Sequence, residues 1–267
     1  MARTDTLPHF LTDVADAIRE KKGTSETIQA SEFDTEIANL PSGADLSEYF
    51  DATPETIETS TINMSWLNTA FIKKIPTITI PNTVTNLSYF GQNFSIEKPL
   101  KIKCNNNITN VTYLLAYSKI LIFDGTEMDT SNVTTTQNTF RDCINLIDAN
   151  ISNWDMYKNL NFSQMFRGCS KITNLDISGW ENNPNKNISG SSMFYGCTSL
   201  KKIDARKMHF TKFANYSSMF GSSSKDAPPD DCEIIVGTSE DKEWITSRFS
   251  RLTNVKTVAE YEAEQSE

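Results

Sequence analysis

Phe140-Arg-Asp-Cys-Ile-Asn-Leu146, Phe166-Arg-Gly-Cys-Ser-Lys-Ile172 and Phe194-Tyr-Gly-Cys-Thr-Ser-Leu200 state one pattern three times. A fourth anchor, Phe220, follows Ser217-Ser-Met219 as Phe194 follows Ser191-Ser-Met193. The anchors lie 26, 28 and 26 residues apart, a period within the leucine-rich-repeat range and shorter than that of the helical repeats.

The frame extends past each anchor. Leu146, Ile172 and Leu200 come three residues after the cysteine, then Ala149, Leu175 and Ile203, then Ile151, Ile177 and Ala205. The last two sets differ by two, the spacing that puts side chains on one face of a strand. Upstream, Leu114-Leu-Ala-Tyr-Ser-Lys-Ile120 falls into the frame 26 residues before Phe140, with Tyr117 in the cysteine position. The strand half recurs at Ile75–Ile80 and Pro99–Cys104, and Cys232-Glu-Ile-Ile-Val236 closes the series. Asparagines 86, 110, 132, 159 and 187 recur between units, where their amides serve tight turns. Each unit has too little apolar surface to fold alone, so stacking must make one core from many coils. Six coils at the ~4.8 Å strand spacing reach roughly 30 Å.

The pattern Ser-Met-Phe-x-Gly-Cys-x-x-Leu, followed by an aspartate strand and Asn-Val-Thr-like turns, resembles the BspA-like leucine-rich repeats of bacterial surface and phage proteins. The resemblance implies a β-solenoid over residues 66–222 and a capping segment over 223–267.

Ahead of the repeats, residues 7 to 22 have helical periodicity, with Leu11, Val14 and Ile18 on one face and Asp13, Asp16, Arg19 and Glu20 on the other. Thr6 suits the N-cap and Gly23 the end; a second helix is expected from Ser31 to Leu40. This segment is similar to a short module heading phage structural proteins of tails, baseplates and fibres. The resemblance implies a virion-attachment and oligomerisation module over 1–43, joined by a linker at 44–65. Two such helices bury little, so contacts with other virion proteins or with copies of the chain are expected to stabilise them. The fold class expected is therefore α+β: a helical module, then a leucine-rich-repeat solenoid, then a cap.

Composition narrows the function. A net charge of −9 disfavours nucleic acid and anionic membranes, which demand a basic face. No run of eighteen apolar residues exists to cross a bilayer, and Met1–Pro8 lacks the basic start and apolar core of a secretion signal. Cys143, Cys169 and Cys197 share one repeat position, which marks them as packing thiols, and no zinc spacing is present. Trp154 and Trp180 are expected to pack the return segment, though their rings could also stack on sugars. Asn-x-Ser/Thr triplets such as Asn107-Ile-Thr are read as turn chemistry. His209 is the repeat region's single histidine, and Asp148, Asp176 and Asp204 sit at regular strand positions, so catalytic, cofactor and metal sites are all expected to be absent.

What remains is the outward strand face: Asp124 beside Ile122, then Asp148, Asn150, Asn174, Asp176, Lys202 and Asp204. Such a polar ribbon is where repeat proteins of this kind bind partners. Joined to the phage resemblance, it implies a non-enzymatic protein exposed on a virion, recognising a host surface protein or glycan. A head fibre or decorating protein without an essential ligand, and a bacterial surface adhesin, are the alternatives.

Overall fold

A computed structural model describes residues 4–6, 15–16, 18–20, 56–58, 77–95 and 97–266. β1 (Thr4–Thr6), β2 (Thr56–Glu58), β3 (Thr77–Thr79), β4 (Leu100–Cys104), β5 (Ile122–Met128) and β6 (Asp148–Asn150) form a six-stranded sheet in that order. β7 (Asn174–Asp176), β9 (Lys202–Ala205), β11 (Glu233–Val236) and β12 (Val255–Thr257) form a second sheet, and β8 (Ile188–Ser189) pairs with β10 (Phe213–Asn215). Every one of these pairings is parallel. Two helices, α1 (Ser239–Arg248) and α2 (Val258–Gln265), lie at the C-terminal end.

The strands follow from alternation. In β4, Leu100, Ile102 and Cys104 point inward while Lys101 and Lys103 do not; in β9, Ile203 and Ala205 are buried. Return segments hold the anchors. Phe140, Phe166, Phe194 and Phe220 are fully buried and stacked ring on ring, with centroids 5.4, 6.0 and 5.2 Å apart. Phe249, just after α1, ends the stack edge-on to Phe220 at 5.0 Å. Trp244 of α1 packs on Phe210, Phe213 and Tyr216, so the cap covers the last apolar layer with its own aromatics.

The five cysteines are buried and free. Three form a donor column: the thiols of Cys143, Cys169 and Cys197 donate to the carbonyls of Leu115, Phe140 and Phe166, at 3.0, 3.0 and 3.1 Å. That column corrects the register upstream. Leu115 stands where the phenylalanines stand, and Ser118, not Tyr117, takes the cysteine position, its hydroxyl 3.4 Å from Cys143 Sγ. The coil there is 25 residues long, as the Asn110–Thr135 bridge also shows.

The expected fold class, an α+β chain with a helical module ahead of a leucine-rich-repeat solenoid, does not hold. The regular structure of the described residues is mostly parallel strands divided among three sheets, and no ladder joins β6 to β7. The strands are mostly of two to five residues, too short to dominate the coils. The return segments turn twice through left-handed backbone, at Tyr113 and Tyr117, Asn138 and Asp142, Gln164 and Gly168, which prevents a helical return. At Gly168 (φ +75°) the turn admits no side chain: a Cβ would lie 2.1 Å from Asp142 Oδ1. At the N-terminal end, Thr6, expected to cap a helix, lies instead in β1, paired with β2. Of the helix expected over 7–22, residues 15–16 and 18–20 are helical, and Ala15 and Ile18 belong to the same buried cluster as the strands. The helix expected from Ser31 lies outside the described residues.

Candidate binding surface

The alternation that buries Phe123, Ala149, Leu175 and Ile203 turns the expected site residues outward. Register pairs Ile122 with Asp148 and Asp124 with Asn150 on one sheet, and Asn174 with Lys202 and Asp176 with Asp204 on the other. The seven residues therefore form two groups that meet at the break between β6 and β7.

The groups differ in what already holds them. On β4 and β5, Lys101 bridges Asp124 (3.5 Å) and Glu127 (2.7 Å), and Lys103 also reaches Glu127 (2.9 Å). Asp124 Oδ1 accepts the Thr126 amide (3.0 Å) and hydroxyl (2.5 Å), which ends the strand turn. Burial pushes the Asp124 carboxyl up, but the Thr126 hydrogen bonds and Lys101 outweigh it and hold the group below its ordinary value.

At the far end α2 covers the strands. Lys202 donates to the Tyr261 hydroxyl at 2.7 Å, its ammonium lies 4.2 Å from that ring, and it pairs with Glu233 at 3.1 Å. Arg206 grips Asp204 through Nε (3.0 Å) and Nη2 (2.6 Å). Burial raises the Glu233 carboxyl, and Lys202 with Lys256 more than reverses the shift. Asp176 Oδ1 accepts the Ser178 amide at 2.9 Å. Asp148, Asn150 and Asn174 are exposed and engage no side-chain partner among the described residues. The open part of the ribbon is thus the middle, on β6 and β7, between two zones of satisfied ion pairs.

Sequence reasoning passed over Lys101 and Lys103, whose alternation around Ile102 does signal an outward place, and Glu127, which strict alternation from Phe123 would turn inward and which the register shift between β4 and β5 turns outward. It had no signal for Tyr261, which reaches Lys202 across 59 residues of chain. Trp154 and Trp180 are buried, stacked at 6.3 Å, and donate Nε1–H to the Gly125 and Ile151 carbonyls at 3.0 and 2.7 Å. They are core, not a sugar platform.

Residues 107–229 match the family described as Mycoplasma protein of unknown function, DUF285. The matched stretch takes in β5 through β10, all four phenylalanine anchors and the whole open patch. No curated protein and no solved structure matches the chain.

Elsewhere, His209 lies beside a depression of about 170 Å³ with Glu181, Arg206, Lys207, Thr238 and Asp241. That is smaller than ordinary small-molecule sites. Asp241 there is committed to the fold, accepting the Thr238 hydroxyl (2.8 Å) and the Thr211 amide (3.1 Å) at the start of α1. Among the described residues no helix is long and apolar enough to cross a membrane.

Proposed function

We propose that the protein is a structural component of a phage particle, in its tail, baseplate or fibre, and that its parallel-strand face presents a surface for recognising the host cell. The observation that carries this reading is the open patch of Asp148, Asn150 and Asn174: exposed, polar and unengaged, on strands fixed by a continuous core. A shallow surface of this kind binds weakly once, and many copies on one particle turn weak binding into avidity. The particle half of the reading rests on the likeness of residues 11–37 to the short module that heads phage tail, baseplate and fibre proteins. Residues 1–43 then supply the contacts to other virion proteins and between copies of the chain.

The test is adsorption of particles carrying Asp148→Lys and Asn174→Lys together. Asp204 is left intact, because reversing it would break the Arg206 pair. Exposed substitutions of this kind change stability by less than about 0.5 kcal/mol, so circular dichroism should be unchanged. Adsorption should fall about tenfold, equivalent to about 1.4 kcal/mol of binding. Wild-type adsorption by the double variant would clear this face of the role. Wild-type adsorption by particles lacking residues 77–266 would leave a purely decorating protein.

A further inference from the structure

A second line of parallel contacts runs through the return segments. Asn86 bridges to Asn110, Asn110 to Thr135, Thr135 to Asn161 and Asn161 to Ser189. The column two residues on, from Ser88 to Ser191, runs beside it. Neither column holds a charged residue, in a chain with 25 Lys and Arg and 34 Asp and Glu. Their side chains bond mainly to one another and to local amides: Thr112 to Thr135 (3.4 Å), Asn161 to Gln137 (3.2 Å), Ser163 to Ser189 (2.7 Å). The face is a lattice of amides and hydroxyls repeating at the strand spacing of ~4.8 Å.

Tyrosines stand at one end of this lattice in conformations that cost energy. Tyr89, Tyr113 and Tyr117 have φ of 64°, 56° and 62°, in the left-handed region that side chains other than glycine enter at about 1–2 kcal/mol. Later coils put Gln164, Gly168, Ser192 and Gly196 at the corresponding turns. The rings of Tyr89 and Tyr113 stack 5.0 Å apart and nearly parallel, and Tyr89 is 47% exposed, so core packing does not account for it. Strain kept at the surface points to use. One coil further, at the place of Tyr113, Asn138 is fully buried with both its amide oxygen and nitrogen unpartnered. Such a group costs about 1–3 kcal/mol, so it too is kept against stability.

We propose that this face, Asn86, Asn110, Thr135 and Asn161 with Tyr89 and Tyr113, binds a neutral glycan. Sugar hydroxyls match alternating amide and hydroxyl groups, and sugar ring faces lie against tyrosine. Tyrosine with serine and asparagine is the composition of adaptable recognition surfaces. An anionic polymer would need cations here and meets a chain of net charge −9. A protein interface of ordinary kind would have an apolar centre, which these columns lack. The residues are not those of the strand face and the binding requires no particle, so this inference and the host-recognition reading fail separately.

The test uses the full chain on an array of neutral, sialylated and sulfated oligosaccharides. Neutral glycans should bind, and Tyr89→Ala with Tyr113→Ala should weaken them about tenfold or more. Tyr113→Asn keeps a residue suited to positive φ while removing the ring, so it should fold normally and also bind less. Asn110→Asp should weaken binding by placing a charge in the lattice. Asp148→Lys should leave glycan binding as it is. Absence of any neutral-glycan binding, a preference for the acidic sugars, or wild-type binding by a folded Tyr113→Asn protein would overturn the proposal.

Discussion

Phe166→Ala removes the central ring of the stack. Phe166 is fully buried, with Phe140 at 5.4 Å, Phe194 at 6.0 Å and Trp180 at 6.4 Å between ring centroids. Replacing a buried Phe by Ala costs about 3–5 kcal/mol, set by how far the surroundings close on the cavity. Here the neighbours are rings fixed by their own coils, one on each side, and collapse would have to shift whole coils. The loss should therefore lie in the upper part, about 4–5 kcal/mol. Phe220 faces the cap, where Phe249 meets it edge-on, and Phe220→Ala should cost less. Ile144→Ala, at a residue 51% exposed, is the control and should cost under about 0.5 kcal/mol. Urea unfolding followed by tryptophan fluorescence measures all three, with Trp180 reporting directly on the site. A Phe166→Ala loss below about 1 kcal/mol, or one equal to the Ile144 control, would refute the stacked-ring account of the core.

Gly168→Ala should destabilise by more than about 1 kcal/mol in the same assay, because φ is +75° and Asp142 Oδ1 fills the space. The thiols should resist alkylation in the native protein at pH 8.5, and all five should label in denaturant without reductant; any pair that fails to label would show a disulfide. Burial pushes the thiols of Cys104, Cys143 and Cys232 up to about 12 from an ordinary 9.0. The unfolded state thus releases protons first as pH rises, so the thiol contribution is intact below about 9 and is lost toward 12. Stability that rises over that window would contradict their burial. Thr257→Ala removes the cap hydroxyl that accepts the Glu260 amide and should cost about 0.5–2 kcal/mol, read as faster hydrogen exchange across 258–265.

The inward residues were legible because strand alternation and anchor spacing are local properties of sequence: Phe140, Phe166 and Phe194 with their cysteines define stacked coils. The coil lengths were not. One missing residue before Phe140 moved the cysteine position from Tyr117 to Ser118, a slip that only the thiol–carbonyl column reveals. The class failed for a related reason. Periodicity marks which residues face inward, whereas ladder formation between β6 and β7, or a strand at Thr4–Thr6 pairing 52 residues away, depends on backbone placement. On the candidate surface, outward positions were readable, but which stay open was not, since α2 supplies Tyr261 and Arg206 takes Asp204. Recurrent asparagines were visible, yet they fall in different columns: Asn86 and Asn110 in the bridged one, Asn132 elsewhere with its amide on the Asn106 carbonyl. Nothing in the letters marks Tyr113 as left-handed.

The proposed function requires that this chain be carried on a phage particle with its coils exposed. Immunogold electron microscopy of purified particles, using antibody raised against residues 107–229, tests it most directly. Gold is expected on the tail, baseplate or fibres of intact particles. Unlabelled particles, with the antibody decorating the surface of uninfected host cells instead, would contradict it.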